Sequence, residues 1–466
     1  MGLRSVGFWL LATAVPLVLS APRASESDLH FQPEDIVTRD VCILGGGSTG
    51  TYAAIRLRDK GQDVAVVEPK DRLGGHAETE YFADGQYMNY GVRGFFNDQV
   101  TRDYLARLDV DYKPLLPATL ATDYVNFKTG QVVPPSFNIL TTVVAATLYR
   151  LSIEKFDYLK DGLYNLPEPV PDELLQPFGE FVKSHLLHEN ALGLVFLFAS
   201  STGNMLEMPL LYVLQTFGIA HVDALLTGYI TPTDGVAALY RKAVDAIGRE
   251  NIMFESTAAE VTRTSDSGVS IVVHNHSTGR RTLVKAKKLL VAFPPTMANM
   301  RPFELDSAEA ELLQKFHWQS YFGAIVNNTG IPTGRNVVNR DPFEPYSLPV
   351  PPFQVQLTDA GVPGYLLSKL VADADFTAQD ARDFILSSIH RMNGTYPIEE
   401  PEITALADHT PLSMTVPVED VRAGFYRKLY ALQGQHNTWY TGYAFCSDMS
   451  SLLWAYADTI VDRMMA

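Results

Sequence analysis

The sequence predicts an α/β fold: a Rossmann-like domain, built on a βαβ unit as a three-layer sandwich, interleaved with a mixed α+β domain. Three observations carry this expectation. A strand, a glycine turn, a helix and a second strand follow one another over residues 41–68. An alternating pattern with turn residues runs through 252–292, and the chain closes on a short apolar strand, a glycine and a long helical stretch.

The βαβ unit is the most specific element. Val41 to Leu44 is an apolar run suited to a strand buried on both faces, and Gly45-Gly46-Gly47-Ser48-Thr49-Gly50 follows at once. Residues 50–60 are helical in pattern, with Ala53, Ala54 and Leu57 able to face a sheet and Gly61 able to close the helix. Val64 to Val67 makes the second strand and ends in Glu68. In Gly45-x-Gly47-x-x-Gly50 the first glycine permits the tight turn. The second lets a pyrophosphate approach the backbone, and the third lets helix and strand pack closely. Phosphates then sit over the free N–H groups at Ser48 and Thr49 and the positive end of the helix. Glu68 stands where an acid grips the adenosine ribose, which disfavours a 2′-phosphate.

The remaining elements follow in order. Residues 113–136 are rich in Pro and Thr, and 139–228 hold long stretches that suit helices, with Pro-bearing turns near 167–177. Gly235 to Ile247 reads as an amphipathic helix. The meander holds strands around Ile252-Met253-Phe254, Ala259-Glu260-Val261, Val269 to Val273 and Lys288 to Ala292, with turns at Asp266-Ser267-Gly268 and Ser277-Thr278-Gly279. Residues 301–410 look less regular and contain Pro342, Pro345, Pro349, Pro351 and Pro352. Trp439-Tyr440-Thr441 is a strand, Gly442 a turn, and Ser450 to Met464 a helix. The expected division is a leader at 1–20 and a split dinucleotide domain at 21–112, 231–298 and 411–466. A helical insertion at 113–230 and a β-containing one at 299–410 form the substrate domain.

Bulk properties narrow the function. A hydrophobic share of 46% with 19% charged residues fits a folded globular chain. A net charge of −16 argues against nucleic acid as a partner. Two cysteines, Cys42 and Cys446, exclude a disulfide scaffold, and the 11 histidines do not fall in metal-ligand spacings. No G-x-S-x-G elbow is present. Arg4 followed by the apolar run Val6 to Leu19, broken by Pro16, reads as a secretory signal peptide rather than a stable membrane span. Three acceptor sequons, at Asn275, Asn327 and Asn393, are compatible with a secreted glycoprotein.

Directly after Glu68 come Arg72-Leu73-Gly74-Gly75-His76 and then Tyr87-Met88-Asn89-Tyr90-Gly91-Val92. This Arg-x-Gly-Gly continuation resembles the flavoprotein form of the fingerprint in the flavin-containing amine-oxidase-like superfamily. The segments ILGGGSTGTYAAIRL, RLGGHAET and WYTGYAF with SSLLW are most similar to fungal flavoproteins of the beta-cyclopiazonate dehydrogenase type. The resemblance implies the amine-oxidase (glutathione-reductase-2) type of fold and FAD as cofactor. It implies that Arg72, Gly74, Gly75 and His76 pass the pyrophosphate and ribityl chain, and that Tyr90, Gly91 and Val92 reach the isoalloxazine. It further places the Val261 backbone at the adenine. Gly442, Ser451 and Leu452 would lie at the flavin N1–C2 edge, where a helix N-terminus stabilises negative charge.

The sequence also departs from the superfamily. His76 stands where many members carry Arg, and no Lys lies around Ser320 to Val326, where many hold a water at flavin N5. Cys446 falls after Gly442 and so misses the usual cysteine for covalent flavin attachment. A covalent link through His76 or Cys446 stays open. Phe95, Trp439 and Tyr443 are candidate substrate-pocket residues, and no catalytic base is legible. No second glycine fingerprint follows, so the expected reaction takes a hydride from a small organic substrate, a secondary metabolite, to flavin N5. The bond oxidised is C–N or C–C, with oxidative cyclisation as one form and oxygen as the natural acceptor in a secreted setting. The alternatives are a flavin-dependent isomerase that returns the hydride and a catalytically silent FAD-stabilised binding protein.

Overall fold

The computed structural model describes residues 31–115, 121–134, 139–187, 189–264 and 268–466; the expected signal peptide at 1–20 and the turn residues Asp266 and Ser267 lie outside them. Two seven-stranded sheets organise the described chain. At the centre of the first is Ile36–Leu44, whose Val41 to Leu44 are buried. It pairs in parallel with Val64–Val67 on one side and Arg281–Val291 on the other. Ile252–Met253 extends the first edge, and the antiparallel strands Gly268–Asn275 and Ser256–Thr264 extend the other. Thr438–Tyr440 adds in parallel beside Leu289 to Val291. The long apolar runs at the centre are what a parallel sheet covered on both faces requires.

The helix Ser48–Asp59 buries Tyr52, Ala53, Ala54, Ile55 and Leu57. It packs on the closing helix Ser450–Met465 and on Val236–Ile247. Tyr52 stacks on Trp454 at 6.0 Å between centroids, and its hydroxyl donates to Asp458 at 2.7 Å, which locks the first and last helices together.

The second sheet runs Glu402–Asp408, His317–Asn327, Tyr365–Ala372, Phe353–Asp359, Arg335–Asn339, Ala121–Val125, with Leu412–Thr415 beside the start of His317–Asn327. The sequence pattern underestimated its regularity. Phe353, Gln354, Val355, Leu357, Thr358 and Asp359 are all buried, so this strand carries no polar alternation to read. Phe322, Ala324, Val326, Leu366 and Leu370 share a core with Ala381, Ile385 and Ile389 of the helix Ala378–His390. The opposite face carries Ile325 and Leu367 against Met88. A helical layer, including Ile139–Ile153, Glu189–Ala199, Leu210–Phe217 and Ile219–Thr227, occupies the first insertion. By length and composition Leu210–Thr227 would suffice to cross a membrane, but it is two helices meeting at Gly218, and 72% of it is buried.

Candidate active site

The glycine turn adopts the geometry that its spacing demands. Gly45 has φ +103°, and a Cβ there would stand 3.0 Å from the Ala292 carbonyl oxygen. A Cβ on Gly50 would lie 1.9 Å from the Gly45 carbonyl oxygen, so only glycine lets the helix start this close to the strand. The helix opens at Gly47 with no side-chain cap, leaving its first amides facing the cleft. Glu68 secures the turn from behind: Gly46 N–H donates to Oε2 at 2.7 Å, and Lys70 N–H to Oε1 at 2.9 Å. Burial pushes the Glu68 carboxyl up, against these two amide donors that favour its charged form.

From this turn a cleft of about 470 Å³ runs between the first sheet and the second, within the usual range for small-molecule sites. Of the residues singled out in the sequence, Gly45, Gly47, Ser48, Thr49, Glu68, Gly74, Gly75, His76, Val92, Gly442 and Tyr443 line it. Gly75, at φ +56°, would bring a Cβ to 3.0 Å from Gly47 Cα, so the two glycines form a cradle that a side chain would fill.

The other expected residues are placed differently. Gly50 acts through packing alone. Arg72 pairs with Glu78 and donates to the Leu73 and Ala77 carbonyls at 3.3 Å, bracing the loop instead of lining the cleft. Lys70, which the sequence reading passed over, takes the position on the wall and donates to Glu78 at 2.8 Å. Val261 is fully buried, and its N–H donates to the Pro302 carbonyl at 2.8 Å; Ser256, Thr257 and Ala258 of the same strand face the cleft instead. Tyr90 and Gly91 sit behind Val92, with a Gly91 Cβ only 1.9 Å from the His76 carbonyl oxygen. Ser451 accepts the Phe96 N–H at 3.0 Å and pairs with the Thr101 hydroxyl, while Ser450 and Leu453 form the wall at the helix start; Leu452 turns to a separate small cavity. Phe95 is buried against Trp454, and Trp439 lies under Lys288, so neither lines the cleft.

His76 lies on the wall and stacks on His409 at 4.4 Å between centroids. Burial first, then Lys70, pushes His76 down to about 4, so it is neutral near pH 7. Cys446 is enclosed, with its thiol toward the Asp161 and Leu452 carbonyls, and does not line the cleft. Of the two residues considered for a covalent flavin, only His76 faces that space. At the inner end Asp448 lines the wall beside Tyr443, with His221 Nε2 at 3.8 Å from its carboxylate. His221 Nδ1 accepts the Gly218 N–H, so its proton resides on Nε2, which has no hydrogen-bond partner among the described residues. None of Asp448, Lys70 or Thr410-Pro411-Leu412 carries a sequence signal; they reach the cleft only through the fold.

Of the three sequons, Asn393 is exposed, whereas the Asn275 amide donates to the Phe254 carbonyl and the Asn327 side-chain oxygen is buried in a strand. The described residues contain one group of potential metal ligands, Asp306, Glu309 and His436. Those side chains already cap a helix and pair with Arg263, outside the cleft.

An uncapped helix start, a glycine cradle and a buried acid one strand away suit a dinucleotide, and with the family and relatives that match the chain this is the cleft of an FAD-dependent oxidoreductase. The model of the family described as flavin containing amine oxidoreductase matches residues 49–327, and the chain belongs to that family. It is 43% identical to the beta-cyclopiazonate dehydrogenase of Aspergillus oryzae over 92% of this chain and 94% of that one. An FAD-dependent oxidoreductase of Apiospora sacchari is 36% identical over 96% of each. Among solved structures, a fatty acid isomerase from P. acnes superposes with TM-score 0.73 at 19% identity, covering 92% of this chain and 99% of that one. Putrescine oxidase does so with TM-score 0.64 at 16%, covering 92% and 100%. These two likenesses concern the fold.

Proposed function

We propose that the protein dehydrogenates a small organic secondary metabolite at a C–N or C–C bond, with ring closure as one outcome. The observation that carries this reading is the continuous cleft from the Gly45–Gly50 turn to Tyr443 and Asp448; the near-full-length likeness to a dehydrogenase supports it. Bound FAD supplies the two-electron acceptor. Gly47, Ser48 and Thr49 would hold its phosphates, Glu68 its ribose, and Ser256 to Ala258 its adenine. Gly75, His76, Val92 and Gly442 would border the ring system. Asp448, a carboxylate on the cleft wall with His221 3.8 Å away, is the group placed to take a proton from the substrate. The enclosed Tyr443 phenol, pushed up by burial, stays neutral and presents a flat wall.

Secretion through the leader at 1–20, glycosylation at Asn393 and oxygen as electron acceptor belong to the same proposal. The test is anaerobic mixing of the purified yellow protein with candidate metabolites. Bleaching of the flavin band, and its return with oxygen uptake on aeration, is the expected result. Product formation with no bleaching and no oxygen consumed would replace dehydrogenation with isomerisation.

A further inference from the structure

Two cations, Arg93 and Lys369, stand close behind the cleft wall, and neither has an ion-pair partner among the described residues. Arg93 directly follows Val92, a wall residue. It is held between Gly91 and Gly94, and a Gly94 Cβ would lie 2.8 Å from the Ile230 carbonyl oxygen. Lys369 stands on Tyr365–Ala372, directly across from Gly323. Strand alternation sets its direction. Leu366 and Leu370 point to the helix Ala378–His390, so Lys369 and Leu367 point the other way, where Leu367 meets Met88. Gly323 shares that face, and its Cβ would come within 2.3 Å of the Tyr90 carbonyl oxygen. The sheet is thus pressed onto the segment that carries Arg93.

Both side chains are surrounded by protein, yet both keep some accessible surface. Neither makes a hydrogen bond or an ion pair among the described residues. Asp448 attracts Lys369 from a distance without forming an ion pair with it. Burial, then the neighbouring Arg93, pushes Lys369 down to about 8. Enclosing two unpaired like charges is unfavourable, and an anion entering between them would offset that.

We infer that Arg93 and Lys369 together bind the acidic group of the substrate, one whose negative charge is spread over two oxygens, as in a carboxylate. The guanidinium offers a planar pair of N–H donors to such a group, and the ammonium adds a further donor from the opposite strand. This deepens the proposed dehydrogenation, on which it rests for the substrate's place beside the flavin.

Calorimetric titration of the FAD-loaded protein with indole-3-acetate and its neutral counterpart indole-3-acetamide tests the inference. The two probes match in shape and differ in charge. The wild-type protein should bind the acid at least about tenfold more tightly than the amide. Lys369→Met and Arg93→Met should each erase that preference while leaving amide binding unchanged. Flavin content and melting temperature establish that the variants are folded, and K369M carries the test if R93M is not. A wild-type protein that binds both probes equally, or neither, overturns the inference, as does a preference that survives in K369M. Calorimetry needs no turnover, so failure of the dehydrogenase reading shows separately, in the absence of bleaching by any metabolite.

Discussion

At the scale of single residues, Glu68 and His76 make the sharpest predictions. Glu68 accepts one backbone N–H on each oxygen and shapes the turn before any ribose arrives. Glu68→Ala should weaken FAD binding by about 10- to 100-fold, the worth of one or two charged hydrogen bonds; flavin absorbance after gel filtration reads this out. Unchanged flavin content would remove the acid from the binding account. His76 predicts an acid sensitivity. Its folded value of about 4 lies below the ordinary 6.5, so on acidification protons bind the unfolded chain first. Its contribution is intact above about pH 6.5 and erodes as the pH falls toward 4, by about 2 kcal/mol at pH 5. His409, pushed down by burial and by His76, acts in the same direction. Lys70 and Arg72 also act on His76 to lower it, and Glu78 and Asp408 to raise it. Melting curves of the FAD-loaded protein between pH 7 and pH 5 should therefore fall more steeply than those of His76→Asn.

Among elements, the contact of the strand His317–Asn327 with Tyr90 presses the second sheet onto the segment that follows Tyr87–Asn89. Gly323→Ala places a methyl group 2.3 Å from a carbonyl oxygen that belongs to backbone and cannot rotate away. It should cost about 1–3 kcal/mol. Gly394→Ala, where the added methyl meets nothing within 4 Å, should change stability by less than about 0.5 kcal/mol. Denaturant melts of the two variants check both figures, and equal effects would mean that the fold does not depend on this close contact. The same strands show where legibility ends. Val41 to Leu44 announces itself because an apolar run, a glycine turn and a helix follow without interruption. The final helix was legible to within a residue of its end, from Ser450 to Met465. The 301–410 sheet was not, because strands buried on both faces lose the alternation that marks a strand, and prolines interrupt them. Val261 misled for a related reason. The strand that carries it was legible, but which residues of a bulged strand face the ligand depends on the irregularity between Ala258 and Glu260.

Over the whole molecule, the cleft is built from segments distant in the chain: the Gly45–Gly50 turn, the 256–258 strand, Ala292 to Phe303, the 408–412 link and the Gly442 turn. Sequence motifs mark the first and last of these, whereas Lys70 and Asp448 reach the cleft only through folding. A ligand that touches all these segments binds the folded chain and not the unfolded one, so it stabilises by mass action. Glu68→Ala protein, which retains little flavin, supplies the measurement. FAD added back at about 100 times its dissociation constant should raise the unfolding free energy by about 2.7 kcal/mol. Because both sheets contribute walls, circular dichroism and tryptophan fluorescence should report the same upward shift. If one probe shifts and the other does not, the two halves do not unfold as one cooperative unit, and the picture of a cleft closed by both sheets fails.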